Sequence, residues 1–215
     1  MIHNLSSESS IFQQYIAEIR DAEIQKDPLR FRTNLERIGA VLGYELSKTL
    51  DYNSSEITTP LGVAQCEMLS QQPVIASILR AGLPMHNGLL SVFDRAENAF
   101  ISAYRKHFKN GDFDVHVEYL ASPSIDGKTI VLADPMMATG SSMVLVYKSL
   151  LEKGTPKKVH IVCAIASQEA VDYVKSKLPK QTEFWLGAID EELTAQSYIV
   201  PGLGDAGDLA FGGKS

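Results

Sequence analysis

The chain has 215 residues and a net charge of −6, with 45% hydrophobic and 21% charged residues, a balance typical of globular proteins that excludes a disordered or fibrous class. One α/β domain can hold this length and bury roughly 70% of its unfolded surface, so a single domain over 1–215 is expected. Twenty Lys and Arg are scattered among 26 Asp and Glu. No apolar run approaches the roughly 18 residues of a membrane span, and Met1-Ile2-His3-Asn4 has no basic-then-apolar signal pattern, so neither nucleic acid nor membrane is an expected partner and the cytoplasm is the expected location.

Ser10 and Gln13 have capping-box spacing, and Phe12, Tyr15, Ile16 and Ile19 share one helical face, which predicts a first helix. Asp27-Pro28 is a cap followed by a proline suited to the first helical position. The second helix it starts should bury Phe31, Leu35, Ile38, Leu42 and Leu46. Between Ser55 and Met68, short β-like runs flank Pro60-Leu61-Gly62, the pattern of an added hairpin.

The texture then changes. Val74–Leu79, Thr129–Ala133 and Val159–Ala166 are continuously apolar, each followed by a loop and a helical pattern. Strands covered on both faces need such runs, so the prediction is a parallel sheet flanked by helices, with the hairpin and amino-terminal helices added. Asn98–Tyr104, Val115–Leu120 and Thr182–Ile189 are candidates for further strands. Cys66 and Cys163 lack metal-ligand spacing and are read as reduced thiols, although two cysteines alone do not exclude a disulfide. The histidines form no metal-ligand constellation. His160 is expected to pack within its strand and the others to lie at the surface.

Ligands of open α/β sheets sit at the carboxyl ends of the strands, so three loops matter: after Leu79, after Asp134 and near the carboxyl terminus. The segment Ile130 to Ser142 reads as an apolar strand ending in Asp134, then a small-residue turn entering a helix. Such a turn can aim backbone N–H groups, the hydroxyls of Thr139, Ser141 and Ser142 and a helix amino terminus at one phosphate. Asp134, at the strand tip, is then placed to accept from ribose hydroxyls or to help orient a metal-bound sugar phosphate. An ordinary strand–turn–helix with Asp134 as a cap fits the spacing equally well. Arg80, next to Ala81-Gly82, can clamp a pyrophosphate or be a solvated surface charge.

Gly202-Leu203-Gly204-Asp205-Ala206-Gly207 satisfies the G-x-G-x-x-G pattern letter for letter, but too little chain follows for a crossover helix and its acidic partner. Gly213-Lys214-Ser215 imitates the end of a P-loop without its first glycine. A loop so rich in glycine can instead offer main-chain donors and acceptors to a flat base.

Three segments together carry a resemblance. Asp134 to Ser142 resembles the phosphoribosyl pyrophosphate (PRPP) motif of type I phosphoribosyltransferases, in the Asp-Pro version of the uracil phosphoribosyltransferases. Pro73 to Pro84 is similar to the pyrophosphate-side loop of that family, and Tyr198 to Asp208 to its uracil-binding segment. The similarity runs from about Pro28 to the end. It implies the type I phosphoribosyltransferase fold and transfer of phosphoribose from PRPP to uracil, giving UMP and pyrophosphate.

The resemblance also assigns residues. PRPP would be met by Arg80, Arg105, Asp134, Pro135, Met136, Met137, Ala138, Thr139, Gly140, Ser141, Ser142 and Asp205, and uracil by Ile199, Gly204, Asp205 and Ala206. Arg80, Arg105, Asp134 and Asp205 are the candidate catalytic residues. Mg²⁺ is expected to arrive with PRPP, with no metal site of the protein's own, and a homodimer or higher homo-oligomer is implied. Ser141 stands where a glycine is common, Leu209 where many members have a basic residue, and Arg105-Lys106-His107-Phe108-Lys109 where the stretch is usually more acidic. Two other readings are transfer to a purine, against which Tyr198 to Asp208 argues, and a nucleotide-sensing RNA-binding regulator, which would need a concentrated basic face.

Overall fold

A computed structural model describes residues 1–107 and 113–213, with the side chains of all of these except 104–107 and 113–116. The first helix, α1, spans Ile11–Arg20 and buries Phe12, Ile16 and Ile19. Its capping box does not form. Ser10 makes no side-chain cap bond, and the Gln13 amide reaches back to the carbonyls of Ser6 and Glu8. A 3₁₀ turn at Ile24–Lys26 separates it from α2, Pro28–Ser47. There the Asp27 carboxylate accepts from the N–H groups of Leu29 and Arg30, and the five apolar residues at helical spacing are buried to 1% exposure or less.

Strands β2, Tyr52–Thr59, and β3, Gly62–Leu69, form the expected hairpin. The main sheet contains β1, Ile2–Asn4; β4, Val74–Leu79; β5, Glu97–His107; β6, Phe113–Ala121; β7, Thr129–Ala133; β9, Lys158–Ser167; and β10, Glu183–Asp190. Their order is β1-β10-β9-β7-β4-β5-β6, with β8, Met136–Met137, also pairing β9. All these pairings are parallel except β5 with β6. The sheet is mainly parallel because β4, β7 and β9 are apolar on both faces, and each face is covered by helices.

One layer is α1, α2 and α3, Leu83–Val92, closed over Ile75, Val131, Val162 and Trp185. The other is α4, Ser141–Leu150, and α5, Gln168–Lys177, over Val74, Ala76, Ile130 and Ile161. Neighbouring residues of one strand thus enter opposite layers.

Two histidines correct the surface expectation. His86 is 2% exposed, with Nδ1 2.8 Å from Ser77 Oγ, and burial lowers its pKa. His3 stacks on Trp185 at 3.8 Å and lies 3.1 Å from Glu183. His160 is buried as expected and accepts from Trp185 Nε1 at 3.0 Å; burial, then the nearby Lys158, lowers its pKa to about 4. His107 and His116 lie outside the described side chains. Both cysteines are free thiols, Cys163 fully buried. No helix among the described residues is long and apolar enough to cross a membrane.

Candidate active site

At the carboxyl ends of β4, β5 and β7 a cleft of about 750 Å³ opens, a size usual for small-molecule sites. Its walls bring all three loops together. Asp134, Met136, Ala138 and Ser142 line one side, and Ile199, Gly204, Asp205 and Ala206 the other. Leu79 and Ala81 contribute between them.

The loop from Asp134 to Ser142 is built by β7 meeting α4. Asp134 is partly exposed; its N–H donates to the Val162 carbonyl at 3.1 Å and its Oδ1 accepts from the Met136 N–H at 3.3 Å. Beneath it the Cys163 thiol is pushed well above its ordinary pKa, first by burial and then by the Asp134 charge, so it stays a neutral core group. Pro135 and Met137 are buried, and the Met137 side chain joins the α4–α5 core rather than the cleft.

Gly140 makes the turn at φ +75 and caps α4. A Cβ there would sit 2.5 Å from Val174 Cγ2 of α5, so glycine is required both for the left-handed turn and for seating the loop. Thr139 Oγ1 donates to Ser141 Oγ at 3.1 Å, while the Ala138 carbonyl accepts from Ser167 Oγ at 2.6 Å. The Ser141 N–H donates to Thr139 Oγ1 at 3.4 Å, and Ser142, in the first turn of α4, lines the cleft; the start of a helix is where backbone N–H groups lack intrahelical partners.

Arg80 follows β4 beside the cleft without lining it. Its Nη2 donates to Asp208 Oδ1 at 3.4 Å and to the Gly212 carbonyl at 3.2 Å, and its Nε is buried without a partner. The guanidinium is therefore drawn towards the carboxyl-terminal segment. At Gly82 a Cβ would meet the Ile78 carbonyl oxygen at 2.6 Å, so the packing of its own turn requires glycine there. The Arg105 backbone belongs to β5, and its side chain lies outside the described residues.

The carboxyl-terminal loop leaves the small hairpin of β11, Glu192–Leu193, and β12, Ile199–Val200, and ends in α6, Ala206–Phe211. Asp205 caps α6, its Oδ1 accepting from the N–H groups of Gly207 at 2.8 Å and Asp208 at 3.0 Å. Gly204, at φ +95, has open space where a Cβ would be. Its backbone faces the cleft unshielded.

Ala103, Gln196 and Ser197 also line the cleft and lie outside the expected site segments, while Tyr198 lines it at the start of the expected Tyr198–Asp208 segment. Ser197, at φ 62, turns the β11–β12 hairpin; its place was marked in the sequence only by adjacency to Tyr198. Among the described residues no three His, Cys, Asp or Glu side chains gather to hold a metal.

The uracil phosphoribosyltransferase family model matches residues 6–213, so the similarity includes α1 and starts well before Pro28. A uracil phosphoribosyltransferase from Porphyromonas gingivalis is 53% identical over 214 residues, covering 100% of this chain and 99% of the relative. One from Pyrococcus furiosus is 36% identical over 208 residues, 95% of this chain and 88% of that protein. The solved structure of the AQ2163 protein from Aquifex aeolicus superposes with a TM-score of 0.87 at 30% identity, covering 99% of this chain and 98% of that one. Match, coverage and fold agree along the whole length, and the chain belongs to the uracil phosphoribosyltransferase family.

Proposed function

We propose that the protein transfers the phosphoribosyl group of PRPP to uracil, giving UMP and pyrophosphate. The observation that carries this reading is one cleft lined on one side by the Asp134–Ser142 turn and on the other by main-chain-rich Gly204–Ala206. The helix terminus suits the 5′-phosphate, Asp134 the ribose hydroxyls, and the glycine loop a base presenting two carbonyls and an N–H.

In the reaction the bond from uracil N1 to C1′ forms as the C1′–oxygen bond to pyrophosphate breaks, and the N1 proton passes to the medium. Positive charge develops on the sugar and negative charge on the leaving group. The protein's work is therefore to hold both reactants in line and neutralise pyrophosphate. Arg80 exchanges Asp208 and the Gly212 carbonyl for pyrophosphate oxygens, with Arg105 as its expected counterpart. Asp205 faces PRPP from the base side while capping α6.

The carboxylates along the cleft are Asp134 and Asp205, and Asp205 already accepts two backbone N–H bonds. Such a donor set fits Mg²⁺ carried in on PRPP and bound chiefly by pyrophosphate and ribose oxygens. The ion supplies charge neutralisation on the leaving group.

The working form we infer is a cytoplasmic homodimer. The β2–β3 hairpin forms a two-stranded sheet of its own and exposes Tyr52, Ile57, Leu61, Val63 and Met68. Two strands alone are marginal in water, and exposed apolar residues on such an arm suit cover by a second copy. Incubation with PRPP, Mg²⁺ and uracil should yield UMP and pyrophosphate in equal amounts. Absence of UMP overturns the reading.

A further inference from the structure

The middle of the base-side loop is held by an ion pair outside the cleft. Arg20, the last residue of α1, donates from Nη1 to Asp190 Oδ2 at 2.8 Å and from Nη2 to Asp190 Oδ1 at 2.8 Å. Asp190 ends β10 and is 7% exposed. Both partners also hold Gly202. Arg20 Nη1 donates to its carbonyl at 3.0 Å, and Asp190 Oδ2 accepts from its N–H at 3.0 Å.

One bidentate pair thus occupies both main-chain groups of a single residue, and a bidentate fork fixes direction as well as distance. Gly202 stands at φ +53, where a Cβ would meet the Ile199 carbonyl oxygen at 2.1 Å. The chain is folded tightly there, with Ile199 on one side of the held residue and Gly204 on the other, and both of those line the cleft. The next residue is tied to the same helical region. With its amide turned to satisfy its neighbours, Gln25 donates to the Leu203 carbonyl at 2.8 Å and to the Ile19 carbonyl at 3.2 Å.

We propose that Arg20 and Asp190 are positioning residues for base selection, acting through the Gly202 backbone to set the spacing between Ile199 and Gly204. The inference rests on the base-site reading above. Neither side chain touches the cleft, so their loss leaves the phosphate side in place while the base-side main chain loses its alignment.

The test is steady-state kinetics of Arg20→Ala, Arg20→Lys and Asp190→Asn, varying uracil and PRPP separately, with cytosine as competing base. Loss of charge-assisted bonds of this kind should raise KM for uracil about tenfold or more in Arg20→Ala and Asp190→Asn, with KM for PRPP within about twofold. The preference for uracil over cytosine should fall with it. Arg20→Lys, which can rebuild one bond but not the fork, should recover part of the loss. Asp190→Asn keeps the volume and an acceptor oxygen for Gly202, so it carries the test if Arg20→Ala fails to fold.

Parallel rises in both KM values, a loss confined to kcat, or no change in either variant would overturn the inference. Unmutated protein assayed alongside separates the two levels. If it makes no UMP, the base-site reading fails and takes this inference with it; if it is active and the variants match it, this inference alone fails.

Discussion

The loop from Asp134 to Ser142 and the loop from Tyr198 to Asp208 face one cleft, but they are held in place by different means. The first continues a core strand into a helix. Its ties are to itself or to adjacent strand and helix, as in Thr139 with Ser141 and Ala138 with Ser167. The second is irregular, and its main chain is fastened to elements far away in sequence, to Arg20 through the Gly202 carbonyl and to Gln25 through the Leu203 carbonyl. A phosphate can be held by a standard strand–turn–helix, whereas a base read by main-chain groups needs a loop shape that only the surrounding fold can impose.

That contrast sets the order of expected effects. Gly140→Val should be the most severe, since the turn needs positive φ and the valine Cβ would enter Val174. We expect a stability loss of about 3 kcal/mol together with loss of PRPP binding. A folded variant with undiminished PRPP affinity by calorimetry would remove this loop from the site.

Arg80→Ala comes next. Charge on the departing pyrophosphate grows in the transition state, so kcat should fall about a hundredfold with little change in KM for uracil. An unchanged kcat would return Arg80 to a surface role on Asp208.

On the base side, Ala206→Pro removes one N–H. Because Ala206 is the first residue of α6, where proline is tolerated, the helix should survive, and uracil binding should weaken by about 1–3 kcal/mol while PRPP binding persists. Full uracil affinity in a variant of unchanged circular dichroism would refute main-chain reading at this position. The smallest effect is expected for Ile199→Val, which keeps every main-chain group and should cost about 1 kcal/mol or less in uracil KM.

The same contrast explains what could be read from the sequence. β4 and β7 are found within their expected bounds because continuous apolar runs such as Val74–Leu79 suit only a strand covered on both faces. Helix α2 is likewise marked by Asp27-Pro28 and five apolar residues at one spacing. Strand β1 is three residues long, too short to show a period, and exists because β10 offers an edge beside it.

The chemistry proposed for the Asp134–Ser142 loop was legible because all its parts are contiguous. The role proposed for the carboxyl-terminal loop came through the resemblance of Tyr198 to Asp208. Arg20 and Asp190 carried no local signal. Arg20 closes an amphipathic helix and Asp190 an apolar strand, and their pairing across 170 positions is a product of the fold. His86 was misjudged for a related reason, since its partner Ser77 lies on the strand beneath its helix.

The most direct test of the account is a competition in which limiting PRPP and Mg²⁺ are offered equal amounts of uracil, cytosine and hypoxanthine and the nucleotides formed are separated and identified. The account predicts that UMP accounts for nearly all of the product; comparable or greater formation of the purine nucleotide would contradict it.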